Sequence, residues 1–336
     1  MEDGNPICPE EKFALIAVRC RTVDLPPKLA LAPDLLASTT PPVDFGDHWK
    51  EWLGSIRAEN FQRSHLFLLM TAPSARPDVL DEENHKLHER LRHFLVGLLL
   101  AGRTAFEKPD FLLGAYGSRG ISVRRIGEHQ AANVILGIGS DPITKTSLER
   151  AYTIAQQIDA WNRSGSAWRI NSVLRNFVET RARVYVPDQI HQFCRCIEGF
   201  ILPDVGRTAR QFKSRTELFI GPGNHDLMGR MYDVRSEVEH LHYQNLIEPS
   251  GKHERIEITR HAAILEAVVR TCFTKLLSER SLWPYFRTDG ALQRFWSLTD
   301  ADRRALWGAA IPVVDLIADF REQWITEEQL GLPACR

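Results

Sequence analysis

The chain has 336 residues, 43% hydrophobic and 25% charged, with a formal net charge of −1 and a pI near 6.9. This is the balance of an ordinary globular protein with material for one large core or two smaller ones. It excludes a global basic field, so any nucleic-acid contact has to come from a local patch.

The N-terminus, MEDGNPICPEEK, is acidic and lacks an apolar signal core. From there Lys12 to Thr22 reads as a strand, being short, apolar and partly β-branched. A proline-rich connection follows from Pro26 to Pro42, and His65 to Thr71 reads as a second strand. Glu82 to Phe106 reads as one long helix, because Leu87, Leu91, Phe94, Leu95 and Leu98 recur at helical spacing. Further strands are expected at Phe111–Tyr116 and Asn133–Ile138. Ser140-Asp141-Pro142 then marks a break, after which strand signals nearly vanish.

Beyond the break, helices are expected at Leu148–Trp161, Ser166–Tyr185 and from Pro187 onward, proline suiting a first helical turn. The Pro187 helix carries Ile190, Phe193, Ile197, Phe200 and Ile201 on one face. A shorter helix fits Thr208–Phe219, and Gly221-Pro222-Gly223 is a turn before a cap at Asn224 or Asp226. Leu227 to Asn245 reads as a helix with a stripe of Leu227, Met231, Val234, Val238 and Leu241. A strong helix covers Arg260–Leu277, and short ones lie near Leu292, Ala305 and Asp315. The expected fold is α+β and predominantly α: a mixed α/β domain over residues 1–145, then an all-helical domain over 146–336.

The cysteines are Cys8, Cys20, Cys194, Cys196, Cys272 and Cys335, with no C-x-x-C pair. They read as reduced thiols of a cytoplasmic protein. The longest apolar stretch, Phe94 to Ala101, is far too short to span a bilayer. His85, His88 and His93 invite a metal reading, but no carboxylate or cysteine set completes it, so no metal and no cofactor are expected. Gly137-Ile138-Gly139-Ser140 lacks the third glycine and the lysine of a phosphate loop and reads as a turn. Cys194 and Cys196 point to opposite sides of their helix and read as packing residues.

The segment Tyr232-Asp233-Val234-Arg235-Ser236-Glu237-Val238-Glu239-His240 resembles the signature of the Apea-like HEPN family. That signature is an aromatic-Asp-aliphatic stretch, an Arg, a small polar residue, and a His five positions after the Arg. The resemblance extends over roughly Leu148 to Leu277, with the Ile190/Phe193/Ile197 helix bearing Glu198 and the short helix Arg210–Phe219. One departure is Leu241, where the family often has glycine directly after the His.

The resemblance implies an RNA-cleaving HEPN effector, commonly a prokaryotic toxin or anti-phage defence protein, with residues 1–145 sensing a trigger or restraining the nuclease. Its catalytic pair would be Arg235 and His240, supported by Ser236, His242 and Glu198. The residue types suit metal-free cleavage. His is the usual general base near neutral pH, and Arg matches phosphate oxygens as a permanent cation. The leaving oxygen needs a proton from a second His, which the family's homodimer through the HEPN helices would supply.

On an ideal helix, residues five apart point about 140° from each other. His242, seven after Arg235, shares its face; geometry therefore favours His242 and the family pattern His240, and His240 is taken here. Between Trp168 and His240 lie ten arginines and one lysine, a bias that suits phosphate contact but reads mostly as a solvated face beside nearby acids. Two other readings stand: a non-catalytic HEPN dimerisation or scaffold module that binds a partner protein, and a toxin modified by a nucleotidyltransferase antitoxin, with Tyr232 and Tyr243 as acceptors.

Overall fold

The run after Glu11 has no polar alternation inside it, the pattern of a strand covered on both faces. In the computed structural model, which describes residues 6–44, 46, 53–240, 242 and 251–331, this run is β1 (Glu11–Val18), buried from Lys12 onward. Its companions are β2 (Lys28–Ala32), β3 (Leu35–Ser38), β4 (Leu66–Pro73), β5 (Asp110–Gly117) and β6 (Gly120–Glu128). The sheet is antiparallel in the order β2-β3-β4-β1-β5-β6, with Leu15 opposite both Leu69 and Leu112.

One face carries Phe13, Leu15, Ala17, Phe67, Leu69 and Leu112, which pack with Phe61 of α1 (Ser55–Gln62). The other takes α2 (Glu82–Ala101). There the fully buried Lys12 ammonium meets Asp81 at 2.7 Å and Glu83 at 2.9 Å. Asp81 also caps α2 by accepting from the Glu83 amide at 3.0 Å. The hydrogen bond from Lys12 holds the Asp81 carboxyl below its usual range. Behind α2 lies α3 (Lys145–Arg163). A Cβ on Gly97 would stand 2.3 Å from the Ala151 carbonyl oxygen, so the two helices cross in direct backbone contact there.

The chain forms two compact units: residues 1–132 with 141–159, and residues 133–140 with 160–336. The division falls inside α3. The second unit is helical: α4 (Trp168–Arg181), α5 (Val186–Ile201), α6 (Thr208–Ile220), α7 (His225–Glu239) and α8 (Lys252–Ser278), then α9 (Trp283–Phe286), α10 (Asp289–Ser297), α11 (Asp300–Trp307) and α12 (Val313–Leu316). Overall the protein is mixed, 53% helix and 16% strand, with the sheet first and the helices after it. Among the described residues no helix is long and apolar enough to cross a membrane.

Several elements differ from the sequence reading. The Pro26–Pro42 connection contains the β2–β3 hairpin: Pro26 and Pro27 precede β2, and Pro33 sits in its turn, positions where a missing N–H costs no ladder bond. β6 was hidden by Ser122, Arg124 and Arg125, because an edge strand needs no continuous apolar run. α1 was not anticipated; its only buried residue is Phe61. α2 stops at Ala101 rather than Phe106, where Gly102 turns extended and Asp141 takes the Arg103 amide at 2.8 Å. Asn133–Ile138 is not a strand but a turn, with positive φ at Gly137 and Gly139 and the Gly137 carbonyl accepting from the Arg321 amide at 2.6 Å. α4 ends at Arg181, four residues short of Tyr185, where Asn133 takes the Ala182 carbonyl at 2.9 Å.

α5 begins at Val186 with Pro187 in its first turn, and Ile190, Phe193, Ile197, Phe200 and Ile201 are at most 2% exposed. Cys194 and Cys196, on other sides, are buried too. α5 is therefore enclosed by α4, α7 and α8. Beside it, Arg181 and Glu266 form an ion pair at 2.9 Å with both side chains at most 2% exposed. Arg181 also donates to the Asn133 carbonyl at 3.1 Å.

A buried pair with one partner removed strands a charge, a loss of about 3–5 kcal/mol. Glu266→Ala should therefore lower unfolding free energy by about that much in urea titrations. Arg181→Met/Glu266→Leu should recover most of the loss; a double variant no better than the single one would contradict the pair's role.

A second test uses pH. The Nε2 atoms of His88 and His129 lie 3.0 Å apart, one donating and one accepting, with the His88 ring 4.1 Å from Phe111. Burial pushes both imidazoles down to about 4. Unfolded His takes its proton near 6.5, so this stability is complete above that pH and drains as pH falls toward 4. The thermal midpoint of His88→Phe/His129→Phe should fall less between about pH 7.5 and pH 5 than that of the parent chain.

Candidate functional site

α7 packs between α5 and α6 through Met228, Met231, Val234 and Val238, all at most 5% exposed. Of the expected stripe, Leu227 is only partly buried and Leu241 lies outside the described residues. The helix starts at His225 and ends at Glu239, with His240 as its cap. The cap position falls on Asn224, whose side chain makes no capping bond to the helix and instead donates to the Ile220 and Gly221 carbonyls.

Packing of α7 on α5 aims Arg235 at Glu198. Arg235 Nε stands 3.5 Å from Glu198 Oε1, and neither buried atom has a hydrogen-bond partner. The guanidinium also pairs with Glu239, one turn along α7, and lies 5.5 Å from the Tyr232 ring centre. Tyr232 in turn packs on Phe212 of α6 at 5.4 Å. From α5, His191 Nε2 comes within 3.8 Å of Glu239. Burial raises the Glu198 carboxyl above its ordinary range against the pull of Arg235, and burial, then Arg235, depresses His191. Cys194 faces the same region, its thiol raised by burial.

The histidines stand apart from this cluster. His240 is exposed and donates its amide to the Ser236 carbonyl at 3.1 Å. The His242 amide bonds the Glu237 carbonyl at 2.9 Å, and its ring lies 3.6 Å from the Glu237 carboxylate. The two rings are 5.9 Å apart. Among the described residues neither His pairs with Arg235. Both lie past the last helical residue, so the helical-wheel comparison does not rank them. Ser236 is partly buried and contributes its carbonyl to the cap. Tyr243 lies outside the described residues.

Two members were not picked out by sequence reasoning, though the signals were present. His191 is seven residues before Glu198 on one face of α5, and Glu239 is four after Arg235. Of the three histidines on α2, His88 Nε2 meets His129 and His93 Nδ1 meets Asp159 at 2.6 Å. Among the described residues no three metal-type side chains converge.

No family model, curated protein or solved structure matches the chain.

The Arg235–Glu198 contact is testable by itself. In a double-mutant cycle of Arg235→Met and Glu198→Gln, the two losses should fail to add by about 0.5–3 kcal/mol. Strict additivity in thermal or urea unfolding would mean that the two groups do not interact.

Proposed function

We propose that the chain is a metal-independent endoribonuclease of the HEPN type, acting at the end of α7. The observation that carries this reading is a guanidinium fixed against an acid-bearing helix at the same helix end from which two exposed histidines project. Arg235 would bind the scissile phosphate and stabilise charge gathering on it, releasing the more exposed Glu239 to do so. His240 would take the proton of the RNA 2'-hydroxyl. The 2'-oxygen then bonds to phosphorus, the bond from phosphorus to the 5'-oxygen breaks, and that oxygen receives a proton from a second histidine. The products are a 2',3'-cyclic phosphate and a 5'-hydroxyl.

The second histidine would come from a second copy of the chain, in a homodimer packed through the helices near Arg235. Glu198 and Ser236 would position Arg235 and the His240 backbone, with His242 as the nearest helper. In this reading the chain is a defence or toxin effector, and the sheet unit senses its trigger. A second reading, a non-catalytic helical scaffold, is favoured by the two carboxylates that already occupy Arg235.

Purified protein with a defined RNA in excess chelator decides between them. The expected result is cleavage to a 2',3'-cyclic phosphate by a dimer seen in light scattering. Removing a general acid-base typically costs about a hundredfold to ten-thousandfold, so His240→Ala should lose at least a hundredfold while circular dichroism stays unchanged, and His242→Ala much less. Arg235→Ala should abolish cleavage, and Arg235→Lys should rescue it poorly for want of a planar fork. Magnesium dependence, or normal cleavage by all these variants, would sink the nuclease reading.

A further inference from the structure

Apart from the Arg235 cluster, the helical unit carries an open groove of about 400 Å³ between α6 and α11, with Trp296 of α10 at its base. Five arginines line it, Arg207, Arg210, Arg215, Arg303 and Arg304, against two carboxylates, Glu217 and Asp300. Both carboxylates are already committed: Glu217 pairs with His225 at 3.1 Å, and Asp300 pairs with Arg303. Asp204, not among the lining residues, accepts from Gln211 at 2.7 Å.

The arginines divide by role. Arg215 donates to the Ile201 and Leu202 carbonyls at 2.7 and 2.6 Å, closing the end of α5, and lies 5.2 Å from the Trp296 ring centre. Arg303 donates to the Trp296 carbonyl at 2.8 Å and lies 5.6 Å from the same ring. Trp296 itself is buried and donates to the Phe200 carbonyl at 3.0 Å. These three make a rigid floor. Arg207, Arg210 and Arg304 are exposed, and among the described residues none of them forms an ion pair. Arg207 and Arg210 also sit at the start of α6, where positive charge opposes the helix dipole.

We propose that this groove is a track for the RNA backbone, with Arg207, Arg210 and Arg304 as phosphate contacts and the Arg215–Trp296–Arg303 stack as its fixed floor. The proposal rests on the RNA reading of the α7 end and names where that RNA is held. Position links the two. α6 and α7 are consecutive helices joined by a short turn, and Phe212 packs on Tyr232, so the helix that carries Arg207 and Arg210 on one face holds α7 with its other face. Chemistry links them too. A chain of net charge −1 attracts a polyanion only through a local concentration of cations, and the Arg235 guanidinium is already matched by two carboxylates. Guanidiniums bind phosphate through paired N–H donors. Trp296, the one aromatic among the residues lining the groove, is buried and offers no open face for base stacking, so recognition there is of backbone charge and not of sequence.

The test is fluorescence anisotropy of a labelled single-stranded RNA oligonucleotide, read at several salt concentrations. The Arg207→Ser/Arg210→Ser/Arg304→Ser variant changes only exposed side chains. It should lose at least tenfold in affinity, and its log–log salt slope should become shallower by about two, the share of three phosphates on a single strand. The corresponding triple lysine variant should keep the slope and most of the affinity, since charge is retained. Arg235→Ala should bind RNA through the groove while failing to cleave it. If the serine variant binds RNA like the parent chain, the track is wrong, whether or not the parent cleaves. If the parent binds RNA through these arginines but never cleaves it, the nuclease reading fails and the track stands. If polyglutamate binds at the groove and RNA does not, its occupant is an acidic protein and the proposal fails.

Discussion

α5 has almost no side that tolerates water, and the arrangement of the helical unit follows from enclosing it. Burying each of its large apolar side chains is worth about 1.5–3 kcal/mol, and Ile190, Phe193, Ile197, Phe200 and Ile201 are all enclosed. A partly exposed ion pair is worth about 0–1 kcal/mol. Packing of α4, α7 and α8 around α5 therefore decides where Glu198 and Arg235 stand, and their mutual attraction only refines it. The polar cluster is a passenger on an apolar frame, held to a fixed geometry by the packing beneath it.

The cluster has a charge balance that differs from the groove on α6. At Arg235 one cation faces Glu198 and Glu239, with His191 held toward its neutral form by burial. The cation there is already matched by carboxylates within the chain itself. At the groove the surplus runs the other way, with cations outnumbering acids and the acids already paired. A near-neutral chain thus places its positive surplus on one surface and a charge-balanced cluster on another.

Legibility followed periodicity. β1, β4, α2, α5 and α8 carry long apolar patterns and were readable from the chain, as was Pro187 at a helix start. The β2–β3 hairpin, β6 and α1 were not, because edge strands and marginal helices are held by tertiary pairing and not by their own composition. Asn133–Ile138 has the β-branched content of a strand, but the glycines at 137 and 139 take φ values near +80° and fold it into a turn. In the site, Arg235, Ser236, Glu198, His240 and His242 could be named from the sequence. Their arrangement could not: the wheel assumed a helix through residue 242, whereas α7 ends at Glu239. His191 and Glu239 share faces with recognised residues, but only the packing of α5 on α7 brings them together.

The end of α7 at Glu239 also decides which spacings along this segment are fixed by helical phase. Inside a helix, inserting one residue rotates everything after it by about 100°, so spacing between two functional side chains is under tight selection. Here Arg235 is within the helix and both histidines follow its last turn. An extra residue after Glu239 would leave the phase of every helical side chain unchanged. The direction in which a side chain after Glu239 points is therefore set by the backbone beyond the helix and not by the helical phase that fixes Arg235.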